Sequence, residues 1–282
     1  MTTVRPTSND ELIRDHYKQQ AEKHGTSSRS TMEDEIIRGR ELEVIDKFLG
    51  AASRALRKKA LKVLDLGCGN GYALELACRS HPRNRYWGLD FSEELLAVAR
   101  GRKLPHCDLH SGDARALPYE QGFFDVVYTE RCLINLLDWR EQEKALGEIH
   151  RVLKPGGYYL MIEAFTDGLE NNNRARREVG LTDVPEAYHN KFFDKERFLA
   201  SVKSHFEVVE PESLGRYARG YRFCSNFLSS HYFISRVLYP AVLKGELVRN
   251  SEFIKFFTFL PPIGNYASVQ AYVLKKGRSK SR

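Results

Sequence analysis

Asp65 stands in a short apolar run, Val63-Leu64-Asp65-Leu66, and glycines follow at 67, 69 and 71 before apolar residues resume at helical spacing from Tyr72. The run suits a buried parallel strand and the spacing after it suits a helix. The loop between them is a strand-to-helix turn, which aims backbone N–H groups and a helix N-terminus at a ligand. A dinucleotide fingerprint needs a third glycine where this chain has Tyr72, so the G-x-G-x-G spacing weakens an NAD reading. An acid just before the loop would also repel a pyrophosphate and attract a cation. The spacing asks for a ligand that is positively charged and carries no phosphate.

Other residues able to do chemistry lie further along. Glu130 and Arg131 are adjacent polar residues at the end of an expected strand, and Glu163 closes another. Asn172, Asn173, Arg176, Tyr188, His189 and Asn190 crowd one polar stretch after it. A neutral histidine near pH 7 can act as a general base for a hydroxyl acceptor, which makes His189 the candidate for that role. Arginine forks orient anionic or polyhydroxylated substrates, a role open to Arg131 and Arg176. The alternative for this stretch is a solvated loop with capping asparagines. Glu130 and Arg131 could equally pair with surface charges.

The elements that must position these residues alternate. A helical arm is expected over about 9–57, and strands near 61–66, 84–89, 107–111, 123–129 and 156–163. Helices near 71–80, 92–101 and 139–152 lie between the strands, a rhythm that implies right-handed crossovers and a parallel sheet covered on both faces. After Glu163 the rhythm breaks into a polar, turn-rich segment, read as a long loop, then a helix (194–203) and a strand (205–211). An aromatic-rich piece containing Tyr221, Phe223, Phe227, Tyr232, Phe233 and Tyr239 precedes a final strand near 266–275. Near-helical apolar spacing reads that piece as a helix packed on the core, with a cap, a dimer face or a membrane-surface face as alternatives.

Composition narrows the class. With 42% hydrophobic and 29% charged residues among 282, the chain is that of an ordinary globular protein. Five scattered cysteines in no C-x-x-C pair indicate neither a disulfide framework nor a zinc site, so a reducing cytoplasm is expected. The polar N-terminus and the lack of a long apolar run predict no signal and no transmembrane segment. The formal charge of +7 falls to about +2 without the five positive groups of the tail KKGRSKSR, so basicity argues little for nucleic acid.

The ordered motifs resemble those of the class I S-adenosylmethionine-dependent methyltransferases, of the small-molecule type, over roughly residues 60–165. VLDLGCGNG resembles their first motif, GLDFSEELLAVAR the second-strand motif, SGDARALPY the adenine motif, FDVVYTERCLINLLDW the fourth-strand motif, and EIHRVLKPGGYYLMIEAF the last helix, turn and fifth strand. The resemblance implies a Rossmann-like α/β fold: a seven-stranded, mostly parallel sheet with helices on both faces and the last strand antiparallel. It implies a helical arm or lid (1–57), a catalytic domain (58–275) with substrate-side insertions at about 165–193 and 214–262, and a flexible basic tail (276–282).

For S-adenosylmethionine, leaving as S-adenosylhomocysteine, the implied contacts are Asp65, Gly67, Cys68, Gly69 and Gly71 in the first loop. Asp90 and Phe91 follow at the ribose, Gly112, Asp113 and Ala114 at the adenine, and Tyr17 closes from the arm. Ser92 is the better helix cap, which leaves Asp90 free for the ribose. The expected catalytic residues are His189, Glu130 and Arg131; substrate binding falls to Glu163, Asn172, Asn173, Arg176, Tyr188 and Asn190, with no metal. Methyl transfer to oxygen of a polar small molecule is the leading expectation. A lipid or quinone acceptor at a membrane surface, a homodimer through the aromatic segment, and a non-catalytic scaffold remain open.

Overall fold

The structure is a computed structural model that describes residues 8–27, 33–217, 220–243, 250–257 and 260–277. Seven strands form one sheet: β1 (Lys62–Leu66), β2 (Arg85–Asp90), β3 (Cys107–Ser111), β4 (Phe124–Glu130), β5 (Leu153–Ala164), β6 (Phe206–Val209) and β7 (Val269–Lys276). Their order across the sheet is β3-β2-β1-β4-β5-β7-β6. β1 to β5 pair in parallel, whereas β7 runs antiparallel between β5 and β6. The central strands are apolar because both faces are covered: Val63, Leu64, Val126, Val127 and Tyr128 are all fully buried.

Between the strands lie α3 (Tyr72–Ser80), α4 (Glu93–Gly101) and α5 (Trp139–Val152), and α7 (Lys195–Val202) precedes β6. Ser92 caps α4, its side chain accepting from the Leu95 amide, as its place before EELLAVAR predicts. The strand order reverses between β1 and its neighbours β2 and β4, which leaves a crevice at their carboxyl ends. Asp65, Asp90 and Glu130 all come from those ends.

The helical arm is two helices with different duties. α2 (Glu35–Leu56) starts at the Asp34 cap and buries Ile37, Val44, Ile45, Phe48 and Leu49 against the sheet, so it belongs to the core. α1 (Ser8–His24) is polar, with Ile13 and Ala21 buried beneath it, and crosses above the crevice against α4.

The polar stretch after Glu163, expected as a loop, opens instead with a helix, α6 (Thr166–Glu178). Its buried stripe is Gly168, Leu169, Asn172, Asn173 and Arg176, so the positions have helical spacing but polar identities. Hydrophobic periodicity cannot find such a helix. Gly168 lets α6 touch the chain entering β7, since a Cβ there would lie 1.8 Å from the Ala267 carbonyl oxygen.

The aromatic-rich piece folds as α8 (Ser229–Phe233), a π-helical turn (Ile234–Leu238), α9 (Tyr239–Leu243) and, further on, α10 (Glu252–Phe257). Phe223, Phe227 and Tyr232 enter the core, as the core-packing reading expects. Of the tail expected over 276–282, Lys276 ends β7 and residues 278–282 lie outside the described residues.

Replacing Gly168 by Ala should therefore cost at least about 1–3 kcal/mol through overpacking. A urea titration would read this as a lower midpoint with an unchanged slope. An unchanged midpoint would mean that α6 does not press on the β7 entry.

Candidate functional site

One cavity of about 440 Å³ occupies the crevice, roofed by α1 and closed at one end by the π-helical turn. Its lining brings acids, arginines and amides together from several strand ends.

The first end is acidic. Gly67 takes φ of +82°, and a Cβ on it would fall 2.5 Å from the Cys132 Cβ, so only glycine lets the β1 loop approach the β4 end. Asp65, below the loop, receives the Tyr128 hydroxyl on Oδ2 at 2.9 Å. Burial pushes its carboxyl well above the usual range, and a cation beside it would reverse that shift. Asp90 accepts the Gly69 amide on Oδ2 (2.7 Å) and the Ser92 amide on Oδ1 (2.8 Å). Each oxygen keeps a lone pair for a ligand hydroxyl.

Phe91, Cys68, Gly112 and Ala114 complete this end, with the Arg14 guanidinium 4.3 Å above the Phe91 ring. Asp113 also lines it, but both its oxygens are gripped by Arg115, whose guanidinium reaches Asp10 on α1 at 3.0 Å and Glu141 on α5 at 2.6 Å. Gly71 does not line the cavity: it lies behind, its amide on the Cys68 carbonyl and its Cα facing Ala99 of α4.

The second end is built on a buried charge cluster. Arg38 of α2 pairs with Glu130 at 2.5 Å, and Arg131 pairs with Glu41 of α2 at 3.3 Å. Arg131 adopts φ of +53°, a left-handed conformation that costs a non-glycine residue about 1–3 kcal/mol, while its amide bonds the Ile162 carbonyl. The side chain thereby turns toward α2. Burial pushes the Glu41 carboxyl well up, whereas Glu130, against the same desolvation, is held below its ordinary value by Arg38 and Arg131. The Nε atoms of Arg38 and Arg131 are buried without a hydrogen-bond partner.

Beyond them lie Asn190, His189, Ser235 and Arg236. His189 stacks on His16 of α1 with centroids 3.9 Å apart. Burial and then His16 push its pKa down to about 4, so the ring is neutral near pH 7, and its Nδ1 has no partner. A base that weak accepts a hydrogen bond more readily than a proton.

Asn135 ties the roof to the floor. It receives the Tyr17 hydroxyl at 2.9 Å and donates to the His189 carbonyl at 3.1 Å and to Asn190 Oδ1 at 3.0 Å. The far end of α1 is clipped by Asn70, whose amide donates to the Gly25 and Ser27 carbonyls, both at 2.9 Å.

The expected substrate residues divide. Asn190 lines the cavity, with Glu130, Arg131, His189 and Tyr17, whereas Glu163, Asn172, Asn173, Arg176 and Tyr188 do not. Glu163 is fully buried and accepts the amides of Cys132, Leu133 and Ile134 at 3.0–3.2 Å, which shapes the turn after β4. Asn173 brackets Val184 with two backbone bonds, Arg176 donates to the Thr182 and Arg236 carbonyls, and Asn172 faces the Tyr232 carbonyl. Asn172 and Arg176 thereby hold the chain that carries Arg236, and Asn173 holds the chain at Val184. Tyr188 is 68% exposed and bonds His16 from outside.

Arg38, Asn135, Arg115, Ser235 and Arg236 escape sequence reasoning. Arg38 sits in an amphipathic helix and Asn135 in the apolar run CLINLL, so neither carries a local signal.

Residues 63–157 match the model of a family described as a methyltransferase domain. The fold agrees with this match in making the segment a methyltransferase domain. The chain is similar to the 37.1 kDa protein in transposon TN4556 of Streptomyces fradiae, with 41% identity over 109 residues, 38% of this chain and 31% of that one. It is also similar to the demethylmenaquinone methyltransferase of Lactococcus lactis, with 40% identity over 108 residues, 36% of this chain and 42% of that one. The match spans less than half the length of both relatives. In fold, it resembles a chain from the complex between the Haloferax volcanii Trm112 methyltransferase activator and a methyltransferase. That likeness has a TM-score of 0.55 and 16% identity, and it covers 96% of this chain and all of that one.

Glu163→Ala would strip three buried amides of their acceptor. At about 1–3 kcal/mol for an unsatisfied buried group, the expected loss is about 3 kcal/mol or more in chemical denaturation. A loss below about 1 kcal/mol would show that the turn after β4 does not depend on the carboxylate.

Proposed function

We propose that this protein transfers a methyl group from S-adenosylmethionine to oxygen of a polar small molecule. The observation that carries the reading is one cavity lined both by the acids Asp65, Asp90 and Asp113 and by Arg131, Arg236, Asn135 and Asn190. When bound, S-adenosylmethionine supplies an electrophilic methyl group on a positively charged sulfur. Asp90 would take the ribose hydroxyls on its two free lone pairs, and Asp65 would offset the ammonium. Asp113 and the Ala114 amide would face the adenine edge. Arg38 feels the field of Asp65 and has an unpartnered Nε, which suits it to the carboxylate of the cofactor's amino-acid part.

The displacement is in line, so the rate depends on holding acceptor and methyl group close and collinear. Tyr17, Asn135 and Asn190 would fix that geometry and help α1 exclude water. His189 would orient an acceptor hydroxyl through Nδ1.

A second reading is a lipid or quinone acceptor at a membrane surface. It is favoured by the likeness to a demethylmenaquinone methyltransferase and by the exposed Val242, Leu243, Phe256 and Ile263 on the segment that closes the cavity. No helix among the described residues is long and apolar enough to cross a membrane. Absence of co-sedimentation with anionic or neutral liposomes would remove this reading.

Isothermal titration with S-adenosylhomocysteine is expected to show binding that Asp90→Ala weakens at least tenfold, about 1.4 kcal/mol. No binding by the wild type would overturn the methyltransferase reading in favour of a scaffold.

A pH effect follows from the histidine stack. Burial lowers both His16 and His189, and an opened α1 would return them toward about 6.5. The closed form is then favoured above about pH 6.5 and loses ground as pH falls toward 4. S-adenosylhomocysteine affinity should fall between about pH 7 and pH 5, and His189→Asn should flatten the fall. An equal fall in both proteins would place the titration elsewhere.

A further inference from the structure

We infer that the acceptor is an organic anion, seated between Arg131 at the end of β4 and Arg236 on the π-helical turn. The inference rests on the methyl-transfer reading and narrows its substrate class.

Both arginines line the cavity. The Arg236 guanidinium lies over Tyr232 at 4.0 Å from the centroid, and Tyr232 also lies within the electrostatic reach of Arg131. A guanidinium stacked on an aromatic face keeps its plane fixed and its N–H edge open, which suits it to a forked bond with a carboxylate or phosphate. Arg236 has no carboxylate partner among the described residues. Arg131 has one, Glu41, yet its Nε remains buried and unpartnered.

The local charge supports the same ligand. Arg38 and Glu130 cancel at 2.5 Å. Glu41 faces Arg131 at 3.3 Å, and burial pushes its carboxyl well up. Arg176 also lies near Arg236: it donates to the Arg236 carbonyl, and burial and then Arg236 lower its pKa, with Asp183 acting the other way. An anion between Arg131 and Arg236 would give the buried Arg131 Nε an acceptor.

The backbone is arranged for this. The π-helical turn interrupts the run from Ser229 to Leu243 and carries Ser235 and Arg236 to the cavity wall. Wide turns of this kind recur at functional sites. Arg176 and Asn172 of α6 bond the backbone around it, at Arg236 and Tyr232, so the turn is braced independently of the Arg236 side chain. Substituting that side chain should leave the fold intact.

An anionic acceptor also fits the weakness of His189 as a base, because an ionised oxygen needs no proton removed before it attacks. In the transfer, an oxygen lone pair forms the new carbon–oxygen bond as the carbon–sulfur bond breaks. Its electron pair returns to sulfur, which becomes the neutral thioether. If the anion itself is methylated it loses one unit of negative charge; if it only anchors the substrate, a neighbouring hydroxyl receives the methyl group and its proton passes to water.

The test uses the full chain saturated with S-adenosylhomocysteine, which fills any site for the cofactor's own carboxylate. Benzoate, benzamide and inorganic phosphate are titrated in turn against a sodium chloride control, with thermal midpoint and calorimetry as readouts. Benzoate or phosphate should bind where benzamide does not, and the stronger of the two distinguishes a carboxylate acceptor from a phosphorylated one. Arg236→Gln should weaken that anion at least tenfold, Arg236→Lys less, and neither should change S-adenosylhomocysteine affinity more than twofold. Equal binding of benzamide, undiminished anion binding by Arg236→Gln, or no anion effect beyond chloride would overturn the inference. Failure of the wild type to bind S-adenosylhomocysteine would instead remove the reading beneath it.

Discussion

Charges taken out of water must be answered in place, and at the carboxyl end of β4 four of them answer one another: Arg38 and Glu41 from α2, Glu130 and Arg131 from the strand. Removing one partner of a buried pair costs about 3–5 kcal/mol, because the other charge is left without compensation. The cluster therefore fixes where α2 begins relative to the sheet. Asp34, which caps α2, also meets the buried His231 of α8 at 3.2 Å, so the aromatic segment is referred to the same point. Sheet, arm and closing segment meet around one electrostatic knot.

The roof depends on that frame in turn. Arg131 leaves β4 in a left-handed conformation, and the following turn presents three amides to Glu163. Only with the turn so shaped does Asn135 face Tyr17 above and the His189–Asn190 strip beside it. Arg115 joins Asp10 of α1 to Asp113 and Glu141, and Asn70 fastens the other end of α1 to the loop after β1. The helix spans the cavity on polar bonds at both ends and in the middle.

The sequence was legible where structure is local. The β1 loop, the Asp90 strand end and the Ser92 cap each need only neighbouring residues, and all lie where their spacing predicts. The sheet with its antiparallel final strand followed from the rhythm and the family resemblance together. Legibility ended where contacts are distant. Asn172, Asn173 and Arg176 have the composition of a binding loop, but their partners are backbone carbonyls and amides of later segments. Asn135 is hidden in an apolar run, Arg38 in a helix face and Arg236 among aromatics. No neighbour in sequence reveals that all three face one cavity. Glu163 was placed correctly at a strand end, yet its carboxylate turns inward to the β4 turn.

The central claim is that one cavity holds a cationic cofactor at its acidic end and directs the methyl group toward the arginine end. The most direct measurement is a crystal structure of the protein with S-adenosylhomocysteine bound. The account predicts ribose hydroxyls on Asp90, adenine beside Asp113 and Ala114, and sulfur facing the space before Arg131, Asn190 and Arg236. A ligand bound with its sulfur turned toward Asp113, or seated outside the crevice, would contradict it.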